Sequence, residues 1–90
     1  MQGAVTKKYK IMLASGIHVR TALTIAKLVG RFKSKVFIKK GENEAGTDSS
    51  FGILALGIEE GDEIEIRIEG PDGADLAEAF DKLVNDNFGE

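Results

Sequence analysis

The sequence predicts an α+β fold, a two-layer sandwich in which helices cover one face of a sheet and water meets the other. Three observations predict it. The segment Asp62–Gly70 alternates, with Ile64, Ile66 and Ile68 set against Glu63, Glu65, Arg67 and Glu69, the pattern of a strand with one buried face. Two other segments switch to spacings of three and four residues, each carrying a single apolar stripe. The elements run strand, helix, strand, short strand, short helix, strand, helix, and 90 residues without linker or repeat make one domain over 1–90.

The first strand runs from Lys8 to Leu13, with Tyr9, Ile11 and Leu13 inward and Lys8 and Lys10 outward. Ala14-Ser15-Gly16 breaks it. From Val19 to Phe32 a helix is expected, its stripe made by Ala22, Ile25, Ala26, Leu28, Val29 and Phe32. Leu23 falls outside that stripe and is expected near solvent. Arg31 and Lys33 are placed in the last turn, where cations suit the negative end of the helix dipole. Lys35–Lys40 is a strand with Val36 and Ile38 inward, Gly41-Glu42-Asn43 a turn, and Glu44–Thr47 a short edge strand. Ser49–Leu56 reads as a two-turn helix entered through Asp48 or Ser49 and ended by Gly57. After the isoleucine strand, Gly70-Pro71-Asp72-Gly73 turns the chain into a final helix. That helix carries Leu76, Phe80, Leu83 and Val84, with Ala77 and Ala79 as strong helix formers, and ends at Asn87-Phe88-Gly89.

Charge narrows the function. Twelve bases and fifteen acids give a net charge of -3, but residues 1–40 hold ten of the bases and no acid. Residues 41–90 hold all fifteen acids with only Arg67 and Lys82, so the halves carry +10 and -13. A cationic nucleic-acid module has one dominant basic face. The split, the absence of Trp and the sparse aromatics therefore argue against nucleic acid as a partner. With no cysteine, disulfides, Cys-based zinc sites and thiol nucleophiles are out. With one histidine, no metal or cofactor is expected. No apolar run approaches the roughly 20 residues that span a bilayer, so membrane insertion is not expected. Met1–Lys7 lacks the apolar core of a signal peptide, which makes the cytoplasm the expected compartment.

The one histidine, His18, lies where the first strand gives way to the first helix. The opening turn of a helix offers unpaired N–H groups and a positive dipole end, worth about 0.3–1 kcal/mol to an exposed anion. Arg20 adds a permanent cation with a fork suited to phosphoryl oxygens, and Thr21 a hydroxyl. A neutral imidazole there is a nucleophile whose phosphorylated form those donors would hold. On spacing alone, His18 also reads as a surface residue or a substitute cap. Ser49 likewise reads either as a cap or as a phosphorylatable serine at a helix start. Leu23, Phe51 and Leu54 read either as core or as a small apolar docking patch. Nothing supplies the acid/base pair or nucleotide loop of an independent enzyme.

These residues resemble the HPr family, the histidine-containing phosphocarriers of the bacterial phosphoenolpyruvate-dependent sugar phosphotransferase system. The family's Gly-Leu/Ile-His-Ala-Arg-Pro-Ala reads here as Gly16-Ile17-His18-Val19-Arg20-Thr21-Ala22. A second pattern, a serine ahead of a segment ending in Leu-Gly, reads as Ser49-Ser50-Phe51-Gly52-Ile53-Leu54-Ala55-Leu56-Gly57. The two lie at the family's separation, and the resemblance covers residues 5–88. It implies an open-faced sandwich of four antiparallel strands covered by three helices in the order βαββαβα. It implies a covalent carrier rather than an enzyme. His18 would accept a phosphoryl group on Nδ1 from phospho-Enzyme I and pass it to an EIIA-type domain in sugar uptake, with Arg20 contacting that group. Ser49 matches the regulatory serine of a kinase/phosphorylase. Thr21, Leu23, Lys27, Phe51 and Leu54 would meet partners, and a shuttle is expected to be monomeric. The departures are Thr21 for Pro, Val19 for Ala, and a polar Ser50 in the docking surface. They also fit a divergent paralogue, or a regulatory binding module on the same scaffold, controlled by Ser49 phosphorylation without a histidine relay.

The family's sheet order sets the isoleucine strand between the first and second strands. Glu63, Glu65 and Glu69 would then face Lys8, Lys10, Lys35 and Lys39, in cross-strand pairs worth about 0.2–1 kcal/mol each and less when screened. Arg20, Lys27 and Arg31 would remain as a positive surface around His18.

Overall fold

The computed structural model of the chain describes residues 4–90; Met1, Gln2 and Gly3, which begin the stretch assessed for a signal peptide, lie outside the described residues. The strands are β1 (Val5–Lys10), β2 (Lys35–Lys40), β3 (Asn43–Gly46) and β4 (Glu63–Glu69). The helices are α1 (Val19–Val29), α2 (Ser50–Ala55) and α3 (Gly73–Asn85), followed by a 3-10 turn at Asn87–Gly89. The sheet order is β1-β4-β2-β3, every neighbour antiparallel. This is the expected open-faced α+β sandwich.

The one-faced strands explain the layering. Ile64, Ile66 and Ile68 are buried, and in register Ile66 pairs with Ile38 and Ile68 with Val36. Ala22, Ile25 and Val29 from α1 and Leu76, Ala77 and Phe80 from α3 belong to the same core. Burying each of the larger side chains, Ile, Val, Leu or Phe, contributes about 1.5–3 kcal/mol.

Several boundaries differ from the sequence reading, each for a local reason. The first strand starts at Val5 and stops at Lys10, before Ile11 and Leu13, though both remain buried. Its ladder with β4 ends in a bulge. Ile11 N–H donates to Asp62 O (2.8 Å), while Ile11 O accepts from Gly61 N–H (2.7 Å), so two residues oppose one. Gly61 takes the left-handed φ of +89° that this bulge requires. Helix α1 stops at Val29 instead of reaching Phe32. Beyond it, Arg31 and Phe32 donate to the carbonyls three residues back, Leu28 and Val29, in a tightened turn. Arg31 and Lys33 therefore lie past the helix, and Lys27 is the base in its last turn. The edge strand is shifted back by one residue, and α2 loses one residue at each end.

Side chains then lock elements together. Tyr9 stacks on Phe80 with ring centroids 5.7 Å apart, and its hydroxyl donates to Asp81 on α3. Burial first, and then the Asp81 carboxylate, push the Tyr9 hydroxyl above its ordinary pKa. Asp72 occupies the N-cap position of α3, but its carboxylate accepts from Lys33 N–H (2.9 Å) and the Ser34 hydroxyl, tying the entry of β2 to that of α3.

The register sets Lys8 opposite Glu65, Lys10 opposite Glu63, Lys35 opposite Glu69 and Lys39 opposite Glu65, as expected. The close ion pairs on this face run elsewhere. Arg67 reaches Glu69 (2.7 Å) and Glu44 (2.8 Å) while its guanidinium lies 4.7 Å above the Phe37 ring. Solvated lysines on an open face gain little from closing onto their opposite number, because side-chain entropy offsets a screened attraction.

Candidate functional site

The loop before α1 presents the histidine. Gly16 adopts φ +68°, and a Cβ on it would lie 2.5 Å from the Ile58 carbonyl oxygen. The same oxygen accepts from Ile17 N–H (2.9 Å), and the Ile17 side chain is buried in the core. A small residue followed by an apolar anchor thus pins the chain one residue ahead of His18.

His18 is the N-cap of α1, in an extended conformation (φ -117°, ψ -172°), with its side chain 37% exposed. The first helical bond runs from Ala22 N–H to His18 O (2.8 Å). The amides of Val19, Arg20 and Thr21 are left without a helical carbonyl, at the positive end of the dipole. Thr21 is fully buried. Its Oγ1 accepts from His18 N–H (2.8 Å) and donates to His18 O (3.0 Å). Thr21 was expected among the partner-binding residues; its side chain, on the third helical position, points back under the cap.

Arg20 is exposed and holds a residue that the sequence reading missed. Its Nε donates to Glu90 Oε2 (2.9 Å) and its Nη2 to Glu90 Oε1. Glu90 Oε1 also lies 3.7 Å from His18 Nε2. Hydrogen bonding from Arg20 holds the Glu90 carboxyl below its ordinary pKa, with a smaller effect from His18, and Glu90 in turn raises that of Arg20. Glu90 arrives there because Asn87 and Phe88 take left-handed backbone (φ +54° and +58°) and the Phe88 side chain is buried. The available signal was Phe88 itself, an apolar residue past the amphipathic stripe that needed a place in the core.

Of the remaining expected site residues, Leu23 is 44% and Phe51 82% exposed, and Lys27 is exposed. Val19 joins them at 60%. Leu54 is half-buried and packs against the core, so it supports that surface more than it forms it. Ser49 is exposed at the N-cap of α2, and its side chain makes no cap hydrogen bond. Met12, also exposed, shares the outward phase of Lys8 and Lys10. A recess of about 430 Å³ lies between the end of α1 and strands β2 and β3, lined by Val29, Ser34, Val36, Phe37 and Thr47 among others, and contains none of these residues. Among the described residues no cluster of three or more His, Asp or Glu side chains could hold a metal, and no helix is long and apolar enough to cross a membrane.

An imidazole on an open surface, at the positive end of a helix and beside a guanidinium, fits a protein that carries a phosphoryl group between partners rather than one that encloses a substrate. The chain belongs to the HPr family: the model described as "PTS HPr component phosphorylation site" matches residues 5–86. It is a phosphocarrier of the phosphoenolpyruvate-dependent phosphotransferase system, a carrier rather than an enzyme. It is 29% identical over 86 residues to the phosphocarrier protein HPr of Treponema pallidum, covering 96% of this chain and 98% of that protein. It is 32% identical over 87 residues to DhaM, the phosphoryl donor subunit of the PEP-dependent dihydroxyacetone kinase of Providencia stuartii, covering 97% of this chain but only 18% of that longer protein. The crystal structure of HPr-C-His from Thermoanaerobacter tengcongensis superposes with a TM-score of 0.89 at 26% identity, covering 96% of this chain and 97% of that one.

Proposed function

We propose that His18 is the phosphoryl acceptor of this carrier, taking the group from phospho-Enzyme I and passing it to an EIIA-type domain in sugar uptake. The observation that carries this reading is the grouping of the half-exposed His18 imidazole, the N-terminal turn of α1, the Arg20 guanidinium and Glu90. A carboxylate 3.7 Å from Nε2 favours the ring proton on that nitrogen and leaves the lone pair on Nδ1. In the transfer, the Nδ1–P bond forms as the bond from phosphorus to the donor breaks, and that electron pair leaves with the donor. Arg20 then exchanges the Glu90 carboxylate for phosphoryl oxygens. Partners would dock on Val19, Leu23, Lys27 and Phe51, with Leu54 beneath. The chain would work as a single cytoplasmic domain and a monomer.

Two finer readings rest on particular observations. The exposed Ser49, its hydroxyl free of the cap, supports regulation by a serine kinase/phosphorylase. A phosphate there would add a charge of about -1.5 to -2 beside Phe51 and repel an acidic partner. If that were the sole control and His18 stayed inert, the chain would be a regulatory binding module. The likeness to DhaM supports a dihydroxyacetone kinase relay as a second destination for the phosphoryl group.

Incubation with phosphoenolpyruvate and Enzyme I tests the acceptor. We expect an acid-labile, base-stable phosphoprotein that survives Ser49→Ala and disappears in His18→Ala. Arg20→Ala should slow the labelling without lowering the melting temperature. An unlabelled wild type, or unchanged labelling in His18→Ala, overturns the reading. Chasing the labelled protein with an EIIA-type domain or with a dihydroxyacetone kinase then separates the two destinations.

A further inference from the structure

We propose that Thr21 is a positioning residue for His18: its buried hydroxyl holds the histidine backbone on both sides of Cα and so aims the imidazole over the first turn of α1. This rests on His18 being the acceptor.

Thr21 Oγ1 uses its acceptor and its donor capacity on the same residue, taking His18 N–H at 2.8 Å and giving its own proton to His18 O at 3.0 Å. Rotation of His18 about φ would move the N–H, and rotation about ψ would move the carbonyl. One hydroxyl therefore restrains both angles. With φ and ψ held, the direction of the Cα–Cβ bond is set, and only the two side-chain torsions remain to place Nδ1. The hydroxyl is shut away from solvent, so it is engaged with His18 and unavailable to a phosphoryl oxygen or a partner.

Another threonine on the same helix shows how specific the arrangement is. Thr24 Oγ1 donates to Arg20 O (3.0 Å), a single bond from a side chain on a less buried position. Both residues that would touch the phosphoryl group are thus tied by a threonine hydroxyl from the following turn, but only the tie on His18 is buried and made in both directions. Serine would preserve both bonds at position 21. Valine has nearly the same shape and preserves neither, and it leaves the His18 N–H without its partner.

Thr21→Val and Thr21→Ser test the proposal through three measurements: exchange of the His18 amide proton in the unphosphorylated protein, the ¹⁵N shifts of the imidazole across pH, and the rate of labelling by Enzyme I and phosphoenolpyruvate. In the wild type the His18 amide should be protected. In Thr21→Val it should exchange about tenfold faster and labelling should slow by about tenfold, the loss of one net hydrogen bond. Thr21→Ser should restore both, and the imidazole shifts should follow the hydroxyl rather than the melting temperature. Labelling of Thr21→Val at the wild-type rate overturns the proposal, as does a serine variant no better than valine. Should Thr21→Val fail to fold, an unprotected His18 amide in the wild type does the same. An unlabelled wild type instead removes the acceptor reading, and amide exchange with the imidazole shifts still shows whether Thr21 orients the ring.

Discussion

The Arg20 guanidinium is engaged by Glu90, and on the proposed function this pair would set the terms on which His18 takes up negative charge. The carboxylate lies against both the cation and the imidazole, where an incoming phosphoryl group would need to be. Replacing it by the neutral Glu90→Gln should move the equilibrium toward the phosphorylated form by a few-fold, the effect kept small by solvent; ³¹P NMR at a fixed donor ratio measures it, and a shift toward the free form would contradict it. The pH dependence follows from the direction of the shift. Arg20 lowers the Glu90 pKa in the folded protein, so the pair is complete above the ordinary glutamate value of about 4.3 and is lost as pH falls through the lowered folded value. A titration of the Glu90 carboxyl carbon by NMR should show this midpoint, and Arg20→Ala should raise it toward the ordinary value, with the smaller effect of His18 remaining. His18 and Arg20 were readable as neighbours because two residues within one turn stay together whatever the fold does. Glu90 was not, since it meets Arg20 across a separation of 70 residues.

At the level of elements, periodicity revealed the longer strands and helices, cap and turn residues marked α2 and β3, and the ends were decided by hydrogen bonds that neither signal carries. The alternation of β1 continues through Ile11 and Leu13, yet the strand stops where Gly61 and Asp62 together face Ile11. The stripe of α1 continues to Phe32, yet the bonding shortens at Arg31. Two glycines with left-handed φ separate backbone strain from collision. Alanine at Gly61 would meet nothing within 4 Å, so it should cost only the left-handed penalty of about 1–2 kcal/mol. Alanine at Gly16 bears that penalty and also drives its Cβ into the Ile58 carbonyl. Gly16→Ala should therefore be the more destabilising in urea unfolding. It should also slow labelling of His18, while Gly61→Ala leaves labelling near the wild-type rate. Equal effects of the two substitutions would mean that the loop ahead of His18 is not pinned by its contact with Ile58.

For the molecule as a whole, stability rests on the layer of isoleucines between the sheet and helices α1 and α3. Phe80 is fully buried there and stacks on Tyr9. Phe80→Ala should cost about 3–5 kcal/mol, read as a lower urea midpoint with an unchanged slope. The topology brings part of the +10 and -13 division together, because β4 from the acidic half, with Glu63, Glu65 and Glu69, lies between β1 and β2 from the basic half. By itself the sequence determined the α+β class, the one-faced strands, the exposure of Leu23 and the closeness of His18 to Arg20, because each depends on spacings of two to four residues that local geometry imposes. Only the tertiary structure decided that Gly16 meets Ile58 and that Glu90 folds onto Arg20. Those contacts depend on how the buried Ile17 and Phe88 anchor loops against a shared core, and no local spacing encodes the shape of that core.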